Sequence, residues 1–74
     1  MDENRQVTEE ARRLLGEGST GKAHDLLTTV AEDSSDPAVL RDVRQLAERG
    51  LAQAGPLGGR RWRKLLRSLP AEQV

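Results

Sequence analysis

The sequence predicts an all-α protein, a small bundle of three to four helices. Apolar residues recur at spacings of three and four in four separate segments, which is typical of amphipathic helices. No stretch alternates apolar and polar residues with the period of a β-strand. At 74 residues the chain is long enough for one small domain. The predicted helices, an antiparallel hairpin followed by covering helices, span about residues 3–17, 20–33, 37–54 and 60–69.

The first helix is predicted from an apolar stripe that stops at two glycines. The stripe consists of Val7, Ala11, Leu14 and Leu15. Glu9 and Arg13 are four residues apart, in the order that favours an ion pair along a helix. We expect Gly16 and Gly18 to end the helix, one of them as a left-handed cap.

The second helix follows a short turn whose Ser19 or Thr20 can cap it. Its apolar positions are Ala23, Leu26, Leu27, Val30 and Ala31. Glu32 and Asp33 oppose the helix macrodipole at the carboxyl end. We therefore expect the helix to end at the two serines that follow them.

Asp36 and Pro37 predict the start of the third helix, because Asp is a good N-cap and Pro suits the first helical position. Its apolar positions are Val39, Leu40, Val43, Leu46, Ala47, Leu51 and Ala54. Gly50 lies inside this helix at a cost of about 1 kcal/mol relative to Ala, which indicates either a close helix crossing or a fraying point. Residues 55–59 (GPLGG) predict a flexible link. The last helix carries Trp62, Leu65, Leu66 and Leu69 and is expected to end at Pro70.

Charge is distributed unevenly along the chain. Residues 1–59 hold seven Lys or Arg against eleven Asp or Glu, whereas residues 60–74 hold five against one. The pattern predicts two parts, an acidic helical core over residues 1–55 and a Gly/Pro linker with a basic amphipathic helix over residues 56–74.

The composition provides few residues that are suited to catalysis. No cysteine is present, which excludes disulfides and thiolate metal sites. His24 and Asp25 are adjacent and therefore point about 100° apart on a helix, so we interpret His24 as a surface residue. No catalytic residue, cofactor or metal site is predicted. No apolar run reaches seven residues, so we expect no membrane span and a cytoplasmic protein. The excess of Arg over Lys resembles the amino-acid usage of proteins from GC-rich bacterial genomes.

A segment from Gly16 to Lys22 matches both glycines and the lysine of a phosphate-binding loop. Ala23 stands where that loop needs a hydroxyl for Mg²⁺, and the preceding segment is helical instead of a buried strand. We interpret the segment as a turn between helices, with Lys22 in the first turn of the second helix.

The basic end of the chain is the candidate site for a partner or for phosphate groups. Its residues are Arg60, Arg61, Trp62, Arg63, Lys64 and Arg67. Three interpretations stay open. The segment is a closing helix whose arginines pair with the acidic core, an amphipathic helix anchored by Trp62 in a partner's groove, or a contact for the phosphates of nucleic acid or an anionic surface.

Residues 5–38 resemble a single tetratricopeptide repeat, a helical hairpin with small residues where its helices cross. The matching positions are Ala11, Gly18, Ala23, Leu27, Val30 or Ala31, and Pro37. The resemblance implies binding of a peptide or protein on a helical face, without catalysis. A single repeat needs a neighbour or cap, a role that the third and fourth helices would fill.

The sequence therefore predicts a small non-catalytic module for protein interaction, an adaptor or regulator. The alternative is a small nucleic-acid-associated protein that uses the basic C-terminal segment, with the central helices as a helix-turn-helix variant. A homodimer is possible, because a thin core gains from burying a second copy's apolar stripe. The identity of the partner is not predicted.

Overall fold

The computed structural model describes residues 3–69, except for the side chains of residues 56 and 57. Over these residues it contains helices and no strand, so the predicted all-α bundle is confirmed. Helix α1 spans Glu3–Gly16, α2 spans Thr20–Asp33 and α3 spans Pro37–Ser68. A kink at Gly55 divides α3 into a first arm (residues 37–54) and a second arm (residues 56–68), giving four helical segments. Each helix packs against the other two.

The turn between α1 and α2 is closed by backbone hydrogen bonds. Gly18 has φ +85°, and its N–H donates to the carbonyl of Leu15 at 3.1 Å. The N–H of Ser19 donates to the carbonyl of Leu14 at 2.8 Å. Together these bonds form a Schellman motif, with Gly18 as the expected left-handed cap. Ser19 takes the N-cap position of α2, but its hydroxyl makes no capping hydrogen bond. The phosphate-loop-like segment is this turn, and Lys22 is exposed in the first turn of α2.

The start of α3 is as predicted. Asp36 takes the N-cap position, and its Oδ1 accepts a hydrogen bond from the N–H of Ala38 at 3.0 Å. Pro37 is the first helical residue, where no N–H is needed. Helix α2 ends just before the predicted serines, and the N–H of Ser34 donates to the carbonyl of Val30 at 2.9 Å.

The predicted link at residues 55–59 was too long. Only Gly55 leaves the helical region, with φ +76° and ψ −171°, and the helix resumes at the next residue. Pro56 disfavours a helical conformation at the residue before it, yet is itself well suited to start a helix. The second arm then folds back closely, since a Cβ at Gly59 would lie 2.9 Å from Leu51 Cδ1. Pro70 and the rest of the predicted basic segment lie outside the described residues.

The core is built from the predicted apolar stripes of all four segments. Its buried members are Ala11, Leu15, Ala23, Leu27, Val30, Val43, Leu46, Ala47, Trp62, Leu65 and Leu69. Thr8 is also buried, which the apolar pattern did not predict. Its hydroxyl donates to the carbonyl of Asn4 at 2.7 Å, so the buried polar group is satisfied inside α1.

Gly50 explains how the second arm reaches the core. An ideal Cβ at this position would lie 2.5 Å from Cε2 and Cζ2 of Trp62. No side chain fits there while the indole keeps its place. Of the two roles that the sequence allowed for Gly50, the structure supports the close approach. Glycine at position 50 lowers helix propensity, but it leaves room for Trp62 to be buried at 2% exposure.

We predict that Gly50→Ala lowers the free energy of unfolding by about 1–3 kcal/mol, because the added methyl overpacks the indole. In a Trp62→Leu background the same change should be neutral or stabilising, since Ala is the better helix former. Urea denaturation of the four proteins in this double-mutant cycle measures the coupling. Gly21→Ala is the control, because nothing lies within 4 Å of a Cβ there. Additive effects in the cycle would contradict the proposed contact.

We further predict opposite results at the two N-cap positions. Asp36→Ala should destabilise the protein by about 1 kcal/mol, because its side chain caps α3. Ser19→Ala should change stability by less than about 0.5 kcal/mol, because its hydroxyl makes no capping bond. Thermal and urea unfolding would compare the two variants, with Asp36→Asn retaining the cap as the control.

Candidate functional site

The predicted site residues separate onto opposite faces of the second arm. Four cations recur at steps of three, one and three, which places them along one side of the helix. We call this set the cationic ridge: Arg60, Arg63, Lys64 and Arg67. All four are exposed, whereas Trp62 and Leu65 on the opposite side are buried. Arg61 is exposed at the border between the two faces.

The cations of the second arm form no ion pairs within the part of the chain that the structure describes. Within residues 3–69, the ion pairs whose partners are identified join Arg12, Arg13 and His24 to nearby carboxylates. Neither a ridge cation nor Arg61 forms an ion pair with a described residue. The second arm therefore packs on the core as the closing-helix interpretation expects. The expected ion pairs between its arginines and the acidic core are absent among residues 3–69.

Carboxylates on α1 and in the turn directly after it bind arginines of α1. Arg12 binds Glu9 at 2.8 Å, and Arg13 binds both Glu10 and Glu17. The hydrogen bond from Arg13 to Glu10, aided by the charges of Glu10 and Glu17, raises the pKa of Arg13 above its usual value. The predicted pairing of Glu9 with Arg13 was wrong, because Arg13 turns toward the other two carboxylates. These contacts balance charge within α1.

Trp62 is a core residue in this structure and is not available as an exposed anchor. Its indole lies against Gly50 on one side and meets the imidazole of His24 edge-on, with ring centroids 5.1 Å apart. The prediction of a surface histidine was wrong, because the side chain of His24 is only 17% exposed. Its Nε2 donates to the carbonyl of Arg61 at 3.2 Å, which ties α2 to the second arm. Sequence spacing could not reveal this contact between residues 37 apart.

The packing determines how the ridge can act. An amphipathic helix enters a membrane interface or a partner's groove through its apolar face. Here that face is largely occupied by the core, so the second arm presents mainly charge and the stems of long side chains to a partner, with the half-buried Leu66 at one edge. The ridge sits on a regular helix held by Trp62 and His24, which keeps the spacing of its cations constant.

Within residues 3–69, no group of three His, Asp or Glu residues lies close enough to hold a metal ion. Nδ1 of His24 is 3.9 Å from Oδ1 of Asp25, which is too long for a hydrogen bond. No described helix combines the length and apolar character that a membrane crossing requires.

No family model, curated protein or solved structure was found to match the chain. The resemblance of residues 5–38 to a tetratricopeptide repeat stays a prediction, as does the cytoplasmic location. Charge and packing of the chain's own residues are therefore the basis for a function.

We predict that Arg60→Gln/Arg63→Gln does not destabilise the protein. Like charges three or four residues apart on a helix cost about 0.2–0.5 kcal/mol per pair, and Gln has a helix propensity close to that of Arg. The free energy of unfolding should rise slightly at low salt, and the gain should shrink at high salt.

The matched control is Arg5→Gln/Arg12→Gln, which changes the net charge equally on α1. It breaks the pair of Arg12 with Glu9 and should lower stability by a few tenths of a kcal/mol. Urea titrations at two salt concentrations measure both variants. A loss above about 1 kcal/mol for the ridge variant would show that these cations hold the fold together.

Proposed function

We propose that this protein is a small, non-catalytic protein-interaction module, an adaptor or regulator, whose contact surface is the cationic ridge. The observation that supports the proposal is the crowding of exposed cations without described ion pairs on one face of a helix whose other face is buried. Neighbouring like charges oppose helix stability. A cluster of residues that lowers the stability of its own helix is typical of a functional site.

The size of the ridge favours a protein partner over nucleic acid. Its four cations span about 10 Å along the helix at 1.5 Å per residue. Phosphate contacts give substantial affinity when many cations act together, and the chain as a whole has no net charge. Its single aromatic residue, Trp62, is buried and so does not present a ring for stacking on bases.

The alternative function, association with nucleic acid through the basic C-terminal segment, depends on the same cations. Arginine suits phosphate as well as carboxylate. The proposal also differs from the tetratricopeptide-repeat resemblance, which would put a peptide on the α1–α2 hairpin and not on the second arm. Substitutions in the ridge separate the proposal from binding on the hairpin, and treatment with nuclease separates it from association with nucleic acid.

We predict that immobilised protein retains partner protein from a nuclease-treated bacterial lysate, and that Arg60→Gln/Arg63→Gln loses most of it. The α1 variant Arg5→Gln/Arg12→Gln should retain the same protein as the unchanged chain. Quantitative mass spectrometry of the three eluates makes the comparison.

Two outcomes would contradict the proposal. Recovery of nucleic acid alone, when nuclease is omitted, would favour the alternative function. Equal retention by the ridge variant and the α1 variant would place the contact elsewhere, for example on the hairpin.

A further inference from the structure

We propose that the partner binds the ridge with an α-helix that carries carboxylates along one face and an apolar residue beside them. This inference rests on the proposed function and specifies the partner's chemistry. It is drawn from the spacing of the ridge and from the residues at its two borders.

The spacing of the ridge is that of a helix. Its cations lie at relative positions 0, 3, 4 and 7, a repeat that any second helix can match with carboxylates at the same positions. Three of the four cations are arginines, whose planar groups bind carboxylates through two parallel hydrogen bonds. An aligned acidic helix would therefore meet the whole ridge at once.

Leu66 supplies an apolar border on one side of the ridge. It is half-buried against the core and lies about 60° around the helix from Arg63. Exposed ion pairs contribute only about 0–1 kcal/mol each, so charge alone gives weak binding. An apolar residue of the partner that covers Leu66 adds contact area that a phosphate backbone does not offer. The apolar border at Leu66 therefore favours a protein helix over a phosphate backbone as the partner.

On the other side of the ridge, beyond the border residue Arg61, lies the carboxylate of Asp25. His24 lies between it and the second arm, with Nε2 3.2 Å from the carbonyl of Arg61 and Nδ1 3.9 Å from Oδ1 of Asp25. The Asp25 side chain is 83% exposed. A broad polyanion such as a DNA duplex would bring phosphates toward this carboxylate, and like charges in an interface disfavour a partner. A single acidic helix can cover the ridge and leave Asp25 in solvent.

A second copy of this chain fits the ridge less well. The carboxylates of Glu9 and Glu10 on α1, and of Glu17 directly after it, already bind arginines of α1. The exposed acids of α2 are Asp25, Glu32 and Asp33. Threonines occupy positions 28 and 29 between Asp25 and Glu32, so that face lacks an intervening carboxylate. The chain therefore offers no complete acidic stripe in these helices.

The test uses three synthetic peptides of about 20 residues, long enough to form helix. The stripe peptide has four Glu at relative positions 0, 3, 4 and 7 and one Leu beside them, in an Ala/Gln background. The scattered peptide has the same composition with its Glu distributed around the helix. The third is the stripe peptide with its Leu replaced by Ala. Fluorescence anisotropy of labelled peptides measures binding to the full chain.

We expect the stripe peptide to bind at least about tenfold more tightly than the scattered peptide, and more tightly than the peptide without Leu. Arg60→Gln/Arg63→Gln should weaken binding of the stripe peptide about tenfold, whereas Arg5→Gln/Arg12→Gln should change it less than about twofold. Circular dichroism of both variants checks that the helices are retained.

Several results would overturn the inference. Equal affinity for the stripe and scattered peptides would remove the requirement for aligned carboxylates. Tighter binding of a DNA duplex, or of phosphatidylcholine vesicles containing phosphatidylserine, at the same salt concentration would identify phosphate as the ligand. Self-association in sedimentation that is lost with the ridge variant would identify a second copy as the occupant. If the peptides do not discriminate but lysate proteins still require the ridge, this inference fails and the proposed function stands.

Discussion

The contact between Trp62 and the backbone at Gly50 is the interaction on which the rest of the arrangement depends. The indole occupies the volume that a side chain at position 50 would need. This close approach lets the second arm fold back after a single kinked residue and bury its apolar face. Burial of an aromatic side chain of this size contributes several kcal/mol in a domain whose net stability is small. The cationic ridge points outward because the opposite face is held in this way.

Charged residues are arranged differently on α1 and on the second arm of α3. On α1, arginines and glutamates pair along the helix, and the charges largely cancel there. On the second arm, cations face solvent without such partners among the described residues. The first arrangement adds a little stability, whereas the second costs some. A surface that costs stability and carries one sign of charge is suited to bind the opposite sign.

Much of the architecture follows from local sequence, and the site follows from it only in part. The stripes of α1 and α2, the cap at Asp36 and the glycine cap at Gly18 depend on residues within one or two turns of each other, so short-range rules predict them. The cations of the ridge follow from the uneven distribution of charge along the sequence. Their lack of described partners, and the burial of His24, depend on which helices meet. Spacing along the chain does not contain that information.

The amino-acid sequence by itself determined the helical segments, their apolar faces and the basic character of the C-terminal segment, because each follows from periodicity and nearby residues. Tertiary structure decided the roles of Gly50, residues 56–59, Trp62 and His24. A glycine is equally consistent with a fraying point, a flexible link or a close contact until the neighbouring surface is known. In this protein the neighbour is another part of the same helix, returned by the kink at Gly55.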